Sequence, residues 1–254
     1  MRSKNVIPIY KPPGISPHDA LKRAKEDHKE LKGKKTAYAG KLDPLAEGVL
    51  LVLAEEELKN MKEYLNLDKE YEARILFGLS TDTYDILGLP IREKGKVKEE
   101  ELQSLLKNFK GDFSFHIPPF SGYQIKKKPL FKWAREGRLN EINLPVKECR
   151  VHEIEVLGVQ EVKESVIKKE IKERILKVKG DFRQKEVLEG WDRILHEDGL
   201  QNFPLVDIRV SCESGCYIRS LAHEAGKKYG IGACLMSLKR TRVGSYSLTG
   251  SYIL

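Results

Sequence analysis

Residues 39–53 read Ala39-Gly40-Lys41-Leu42-Asp43-Pro44-Leu45-Ala46-Glu47-Gly48-Val49-Leu50-Leu51-Val52-Leu53. A carboxylate fixed before a proline and set between two glycines runs into an unbroken apolar stretch short enough to be a buried strand. Pro44 restricts Asp43 to extended backbone values and Gly40 permits close approach of another backbone, so the carboxylate points from a stiff loop above a core. A rigid acid suits catalysis. On this segment alone a plain turn is a sufficient account, because Asp before Pro shapes turns whether or not it reacts.

The 254 residues are 40% hydrophobic with no low-complexity tract, enough for one large domain or two small ones with a real core. The net charge of +8 favours an acidic partner. Nucleic acid is preferred to an anionic membrane, because no basic amphipathic helix with a Trp/Phe face stands out. The opening Met1 to Pro8 carries charge without an apolar signal core, and no window approaches the length of a membrane span, so a cytoplasmic protein is expected. Cys149, Cys212, Cys216 and Cys234 form neither a CxxC pair nor a cluster with His at zinc spacing. Free, partly buried thiols and no metal are expected. Cys212 lies on an alternating apolar pattern with Val206, Ile208 and Val210, which packing explains better than nucleophilic chemistry.

Along the chain, Val6 to Tyr10 is extended, and Ser16-Pro17 caps a helix reaching about Leu31, which pins Lys11 near a helix start. Glu56 to Tyr64 reads as a surface helix. Glu70 to Phe77 alternates as a strand with Tyr71, Ala73, Ile75 and Phe77 on its core face. Ser80 to Gly88 is dense in short hydrogen-bonding side chains, which either build a long turn or meet phosphate and sugar. Leu102, Leu105, Leu106 and Phe109 mark a packed helix ending at Gly111. From Ser121 to Arg138 aromatics interleave with Lys126, Lys127, Lys128, Lys132, Arg135 and Arg138, a pattern that serves equally as an RNA clamp or as a solvated loop ahead of a helix. Val162, Val166, Ile171, Ile175 and Val178 recur near helical spacing in a charged background, predicting a helical arm. A second short helix covers Gln184 to His196, and the chain re-enters the sheet at Leu205 to Cys212. Gly215 then turns into a helix whose first turn carries Arg219.

Five separated blocks resemble, in order, those of the TruB-type tRNA pseudouridine synthases. They are Lys11-Pro12-Pro13-Gly14-Ile15-Ser16; Gly40 to Gly48; Lys69-Glu70-Tyr71 with Thr81-Asp82-Thr83 and Gly88; Ser121 through Ala134-Arg135-Glu136-Gly137; and Gly215 to Leu221 with Leu238-Lys239-Arg240-Thr241. The second block is the most specific. The resemblance covers most of the chain outside about residues 160–202.

It implies an α+β pseudouridine synthase fold in one catalytic domain, 1–254, with a mixed, largely antiparallel central sheet, flanking helices and a charged helical insertion at 160–202. It implies isomerisation of a T-loop uridine of tRNA, usually position 55, without cofactor or metal. Breaking an N-glycosidic bond and rejoining the base through carbon needs a carboxylate that attacks, or stabilises, an electron-poor sugar. By the resemblance Asp43 is that nucleophile, Arg219 is its charge partner, and Tyr71 stacks on the flipped base and assists the final proton removal. Lys11 sits behind the pocket; Tyr38, Lys126, Lys127, Lys128, Arg135, Tyr217 and Arg240 are the other expected RNA-binding residues.

The sequence departs from the family pattern at Tyr38, where many members carry a histidine that fills the place of the extruded base, and at Gln124, which replaces a frequent lysine. The C-terminal RNA-binding PUA domain common in the family is not expected. A monomer without an obligate protein partner, acting on the tRNA T-arm, is expected. The alternatives are a guide-RNA-dependent synthase and a tRNA-binding folding factor whose chemistry is dispensable.

Overall fold

The apolar run that follows Asp43 becomes a strand buried along nearly its whole length, and a ten-stranded sheet assembles around it. The computed structural model describes residues 3–93, 95, 98–196, 199 and 201–254. In chain order, β1 (Val6–Lys11) leads into α1 (Pro17–Asp27), where Ser16 and Asp19 form a reciprocal capping box. β2 (Thr36–Ala39) and β3 (Glu47–Ala54) bracket the Asp43 loop. The predicted surface helix is divided into a 3₁₀ stretch, Glu55–Asn60, and α2 (Met61–Asn66).

β4 (Lys69–Phe77) is followed by a small hairpin, β5 (Leu79–Thr81) and β6 (Pro90–Arg92), then α3 (Glu99–Lys107) and β7 (Gly111–His116). The lysine-rich segment folds as a short hairpin, β8 (Gln124–Ile125) with β9 (Lys128–Pro129), leading to α4 (Leu130–Arg135). β10 (Val146–Lys163) and β11 (Asn202–Cys212) are long partners separated by α5 (Glu164–Leu176) and α6 (Gln184–Ile194). α7 (Ile218–Lys228), β12 (Ala233–Val243), β13 (Tyr246–Ser247) and β14 (Tyr252–Ile253) complete the chain.

The sheet order is β14-β1-β3-β12-β4-β11-β10-β7, with β2 added to β3 and β13 to β12. The β1–β14 and β3–β12 pairings are parallel and the others antiparallel, so the largely antiparallel α+β architecture expected from the sequence is the one formed. Strand alternation divides the apolar residues between two faces. Tyr71, Ala73, Ile75 and Phe77 join Val206, Ile208, Val210 and Cys212 in the core under α3 and α7. Leu76, Leu205, Cys234 and Met236 point to the opposite face, which the α5–α6 hairpin covers.

That hairpin is built differently from the predicted arm. β10 continues to Lys163 and pairs with Asn202, so Val162 belongs to a strand and the helix begins only at Glu164. The buried stripe of α5 is Ile167, Ile171 and Ile175, continued by Val178, while Val166 is on the solvent side. The helical repeat alone did not fix the phase, because the heavily charged background leaves apolar residues on more than one face. Glu164 closes the stem: it is buried, pairs with Arg92 at 2.9 Å, and accepts from the His196 N–H at 3.2 Å. The hairpin is therefore part of the core rather than an appended arm. Trp191, almost fully buried, donates its indole N–H to Ile86 O at 3.0 Å and so ties α6 to the turn after β5.

The cysteine expectation needs one correction. Cys149 and Cys216 are joined by a disulfide across 67 residues of sequence, with Cα atoms 5.6 Å apart; Cys212 and Cys234 are free and buried. Pairing of β10 with β11 brings the turn after β11 beside the start of β10, a proximity that spacing in the sequence does not show. Among the described residues no helix is long and apolar enough to cross a membrane.

Truncation of the large buried indole predicts that Trp191→Ala loses about 3–5 kcal/mol of stability in urea unfolding. Trp191→Phe should lose less, keeping most of the packing while stranding the Ile86 carbonyl.

Candidate active site

Asp43 sits at the apex of the loop between β2 and β3, with Leu42 and Ala46 buried on either side as anchors. The Ala46 N–H donates to Asp43 O at 3.0 Å, closing a tight turn around Pro44. The close backbone approach expected at Gly40 occurs at Gly48: a Cβ there would lie 2.2 Å from Arg240 O, and its φ is +112°. Gly40 faces the Arg240 guanidinium instead.

Two buried cations fasten this loop from below. Lys11 is fully buried and donates to Ala46 O at 2.5 Å, Pro12 O at 3.1 Å and Pro44 O at 3.4 Å. Burial pushes its pKa down to about 8, while Asp43 and Glu47 act to keep it charged. Arg240, also buried, donates to Val49 O at 2.8 Å, Gly40 O at 3.1 Å and Lys41 O at 3.3 Å. Lys11 thus lies behind the loop as expected. Neither side chain is exposed to RNA, which corrects the expectation of direct contact: their donors are turned inward, to carbonyls of the Asp43 loop and also, for Lys11, to Pro12 O and, for Arg240, to Val49 O of β3.

Above the loop, the first turn of α7 delivers Arg219. Its Nε is 2.8 Å from Asp43 Oδ2 and its Nη2 donates to Asp43 Oδ1 at 3.3 Å. On its other side Nε lies 3.6 Å from Asp85 Oδ2, and Nη1 donates to Thr83 O at 2.8 Å. Burial works against the Arg219 charge, but the two carboxylates outweigh it and the group stays firmly cationic. Asp85 is the site residue that sequence reasoning missed. The dense 80–88 segment was legible as a turn; what could not be read was that the turn folds back to bury one of its acids against Arg219. Thr83 Oγ1 donates to Asp85 Oδ1 at 2.7 Å, the Leu87 N–H donates to the same oxygen at 3.0 Å, and Thr81 Oγ1 donates to Asp85 O at 2.7 Å. Burial raises the Asp85 pKa to about 6, with Arg219 opposing the shift.

The Asp43–Arg219–Asp85 trio stands between two cavities. The larger, about 60 Å³, is lined by Asp43, Arg219, Phe120, Arg135 and, from the α5–α6 hairpin, Phe182 and Arg183. The smaller, about 10 Å³, lies against Leu45, Ala46, Leu235 and Leu238. Phe182 and Arg183 lie in the charged insertion 160–202, and nothing in the spacing of residues along the chain places either of them at the Asp43 cavity.

The remaining expected residues divide. Tyr71 is buried in the same core cluster as Leu42 and Ala46, beneath the loop rather than on a cavity wall. Its hydroxyl is pushed up to about 12, chiefly by burial, with Arg240 opposing. Tyr217 directly precedes α7 and is half-buried; burial and the charge of Asp43 raise its pKa. Tyr38 packs against the core under α1 and does not line either cavity. Lys126 and Lys127 form the exposed tip of the β8–β9 hairpin, both at positive φ, 51° and 62°, where glycine or asparagine is usual. Lys128 differs from its neighbours: it is ion-paired with Glu136 and lies 4.4 Å over the Trp133 ring. Arg135, on the cavity wall, pairs with Asp181 at 3.3 Å. Among the described residues no cluster of His, Cys, Asp or Glu could hold a metal ion.

Comparison with known proteins places this geometry. The family model "TruB family pseudouridylate synthase (N terminal domain)" matches residues 28–184, which include Asp43, Tyr71 and Asp85. The chain belongs to the TruB pseudouridylate synthase family. It is 32% identical to the tRNA pseudouridine synthase B of Clostridium tetani over 97% of this chain and 70% of that protein. The corresponding protein of Syntrophus aciditrophicus is 32% identical over 92% of this chain and 61% of its own length, and that of Ralstonia pickettii 31% identical over 98% and 65%. The chain thus spans 61% to 70% of the length of these curated relatives. Among solved structures, a chain of a Cbf5-Nop10-Gar1 complex superposes with a TM-score of 0.58 at 24% identity, covering 95% of this chain and 49% of that one. A chain of an H/ACA RNP bound to a substrate RNA containing 2'-deoxyuridine gives 0.56 at 23%, over 95% and 48%. At such identities the likeness speaks to the fold.

The raised Asp85 carboxyl sets a pH dependence of stability. Asp85 holds its proton more tightly folded than unfolded, so the native chain loses stability, relative to Asp85→Asn, as pH rises from 3.8 towards about 6. Urea melts of both proteins across that range should show a relative decline on the order of 2–3 kcal/mol, flat above it.

Proposed function

We propose that this chain isomerises uridine to pseudouridine in tRNA, at the T-loop position 55 modified by the family, with Asp43 as the nucleophile. The observation that carries the reading is one partly exposed carboxylate, held in a rigid loop by two buried cations and paired with a buried arginine at a cavity. The curated relatives bear the name tRNA pseudouridine synthase B.

The product is an isomer of the substrate, so no electrons or atoms pass to a co-reactant. As the C1′–N1 bond breaks, the bonding pair leaves with the uracil, and an Asp43 oxygen bonds to C1′ or stabilises its positive charge. Rotation of the detached base presents its C5 carbon to C1′; the C1′–C5 bond forms, Asp43 is released, and the proton lost from C5 is balanced by one gained at N1, which restores the ring. Arg219 orients Asp43 without taking its place, since a guanidinium stays protonated and can only donate. Tyr71 is neutral at physiological pH and lies beneath the loop, so it supports the floor under Asp43 rather than acting as a base catalyst. The target nucleotide must leave its stack to reach Asp43, which the RNA phosphates gripped by the β8–β9 tip help to sustain. A cytoplasmic site of action and a monomeric state belong to the same proposal; the tRNA substrate, not cysteine usage, supports the location, because a disulfide is uncommon in reducing compartments.

Asp43→Asn should still bind an unmodified tRNA transcript yet make no detectable pseudouridine by mass-neutral chemical mapping, because the amide cannot act as the nucleophile. Turnover by that variant would refute the assignment. Replacing Lys126 and Lys127 with Gln should lower the slope of log affinity against log salt by roughly two units. Lys128→Gln alone should change it little, as that charge is already engaged.

A further inference from the structure

The tip of the α5–α6 hairpin is placed where a purely structural insertion need not be. Lys179 N–H donates to Gly14 O at 2.8 Å, and Gly14 N–H donates to Pro44 O at 2.8 Å, so the tip is two backbone hydrogen bonds from the residue next to Asp43. The seat is specific. Gly14 has φ +91°, and a Cβ there would lie 2.3 Å from Lys177 O. On the opposite side of the tip, Asp181 accepts from Arg135 of α4. The hairpin end is thereby held between the loop after β1 and the helix that follows the lysine hairpin, beside the cavity of Asp43.

At this tip Arg183 adopts a left-handed backbone, φ 60° and ψ 28°, which costs free energy for a residue other than glycine. Its guanidinium lies 4.2 Å over the Phe120 ring, and its Nη2 is 2.9 Å from Asp82 Oδ2. It lines the cavity together with Asp43 and Arg135. Asp82 uses its other oxygen to accept from the Leu89 N–H. The Arg183 side chain keeps about a fifth of its surface in solvent, 21%, and its stacked, planar fork retains donors beyond the one that meets Asp82. Lys177 and Lys179, next to the Gly14 seat, are exposed, and no ion pair holds either in the described structure.

We propose that this hairpin tip is an RNA-backbone-binding element of the active site. Arg183 contacts a phosphate next to the nucleotide that enters the Asp43 cavity, and Lys177 and Lys179 continue the contact along the strand. The partner is an RNA because Arg183 lines the cavity of Asp43 and two exposed lysines, Lys177 and Lys179, stand at the same hairpin tip, beside an acid whose charge Arg219 already meets. A strand threading to Asp43 must carry its phosphates past the rim, and the stacked guanidinium is suited to bidentate capture of one. The inference rests on the proposed reaction for the identity of the RNA, though the binding surface itself is measurable without any turnover.

The test uses the full chain with an unmodified tRNA transcript. Lys177→Gln/Lys179→Gln and Arg183→Gln are each compared with the parent in salt-dependent binding, in single-turnover pseudouridine formation and in melting temperature. Lost phosphate contacts should lower the log-log salt slope by roughly two units for the lysine pair and by less for Arg183→Gln, because Asp82 already meets part of that charge. Half-saturation should shift to roughly tenfold higher tRNA, with a smaller change in the saturated rate. Arg183→Lys should restore much of the slope, while Asp82→Asn, which removes only the ion pair, should not lower it; a slope that falls equally for Asp82→Asn would return Arg183 to a structural role. Unchanged slopes, or a lowered melting temperature with the slope intact, would overturn the proposal. If the parent binds tRNA and the slopes fall as stated but no pseudouridine forms, the surface stands and the reaction assignment fails. If the parent forms pseudouridine and the slopes do not move, the surface fails alone; a parent with no affinity for RNA sinks both.

Discussion

The site depends on a guanidinium removed from water. Arg219 is nearly inaccessible, and a lone charge in such a place would cost many kcal/mol. It is tolerated because Asp43, Asp85 and the Thr83 carbonyl meet it from both sides. The arrangement constrains all of its members. Asp43 cannot rotate freely without stranding the cation, the 81–88 turn must keep Thr83 and Asp85 in place, and α7 must begin where it does. The Asp85 carboxylate is buried, with one oxygen accepting two hydrogen bonds; that of Asp43 keeps 41% of its side chain exposed. The same arginine therefore has one buried partner and one partly exposed partner.

Rigidity of the Asp43 loop has a second source. Lys11 and Arg240 give their donors to loop carbonyls, replacing the strand partners that a sharp turn at the sheet's rim cannot have. Removing either would leave several buried acceptors unmet, at a cost beyond the modest value of the bonds themselves. These residues act on the chemistry by fixing where Asp43 stands.

The α5–α6 hairpin joins the two sides of the molecule. Its buried stripe completes the core on one face of the sheet, Trp191 braces the turn that carries Asp85, and its tip reaches the cavity wall. Stability and substrate contact are thus borne by different parts of one element, the helices by packing and the tip by charge.

The sequence by itself determined the rigid acid loop, the alternation that made β4 and β11 two-faced strands and the capped first helix, while the pairing of Asp43 with Arg219 was legible only through the family resemblance. The first three are local signals: a proline, a period of two, a capping serine. The tertiary structure alone decided which cations stay exposed. A lysine's type says nothing about whether its charge turns inward, and Lys11 and Lys128 are engaged while Lys126 and Lys127 are exposed. It also decided the phase of α5, set by which face meets the sheet, and the Cys149–Cys216 bond, set by the register of β10 on β11. Asp85, Phe182 and Arg183 reach the cavity of Asp43 only through the folding back of a turn and the docking of a hairpin, and long-range contacts of that kind leave no mark on the spacing of residues along the chain.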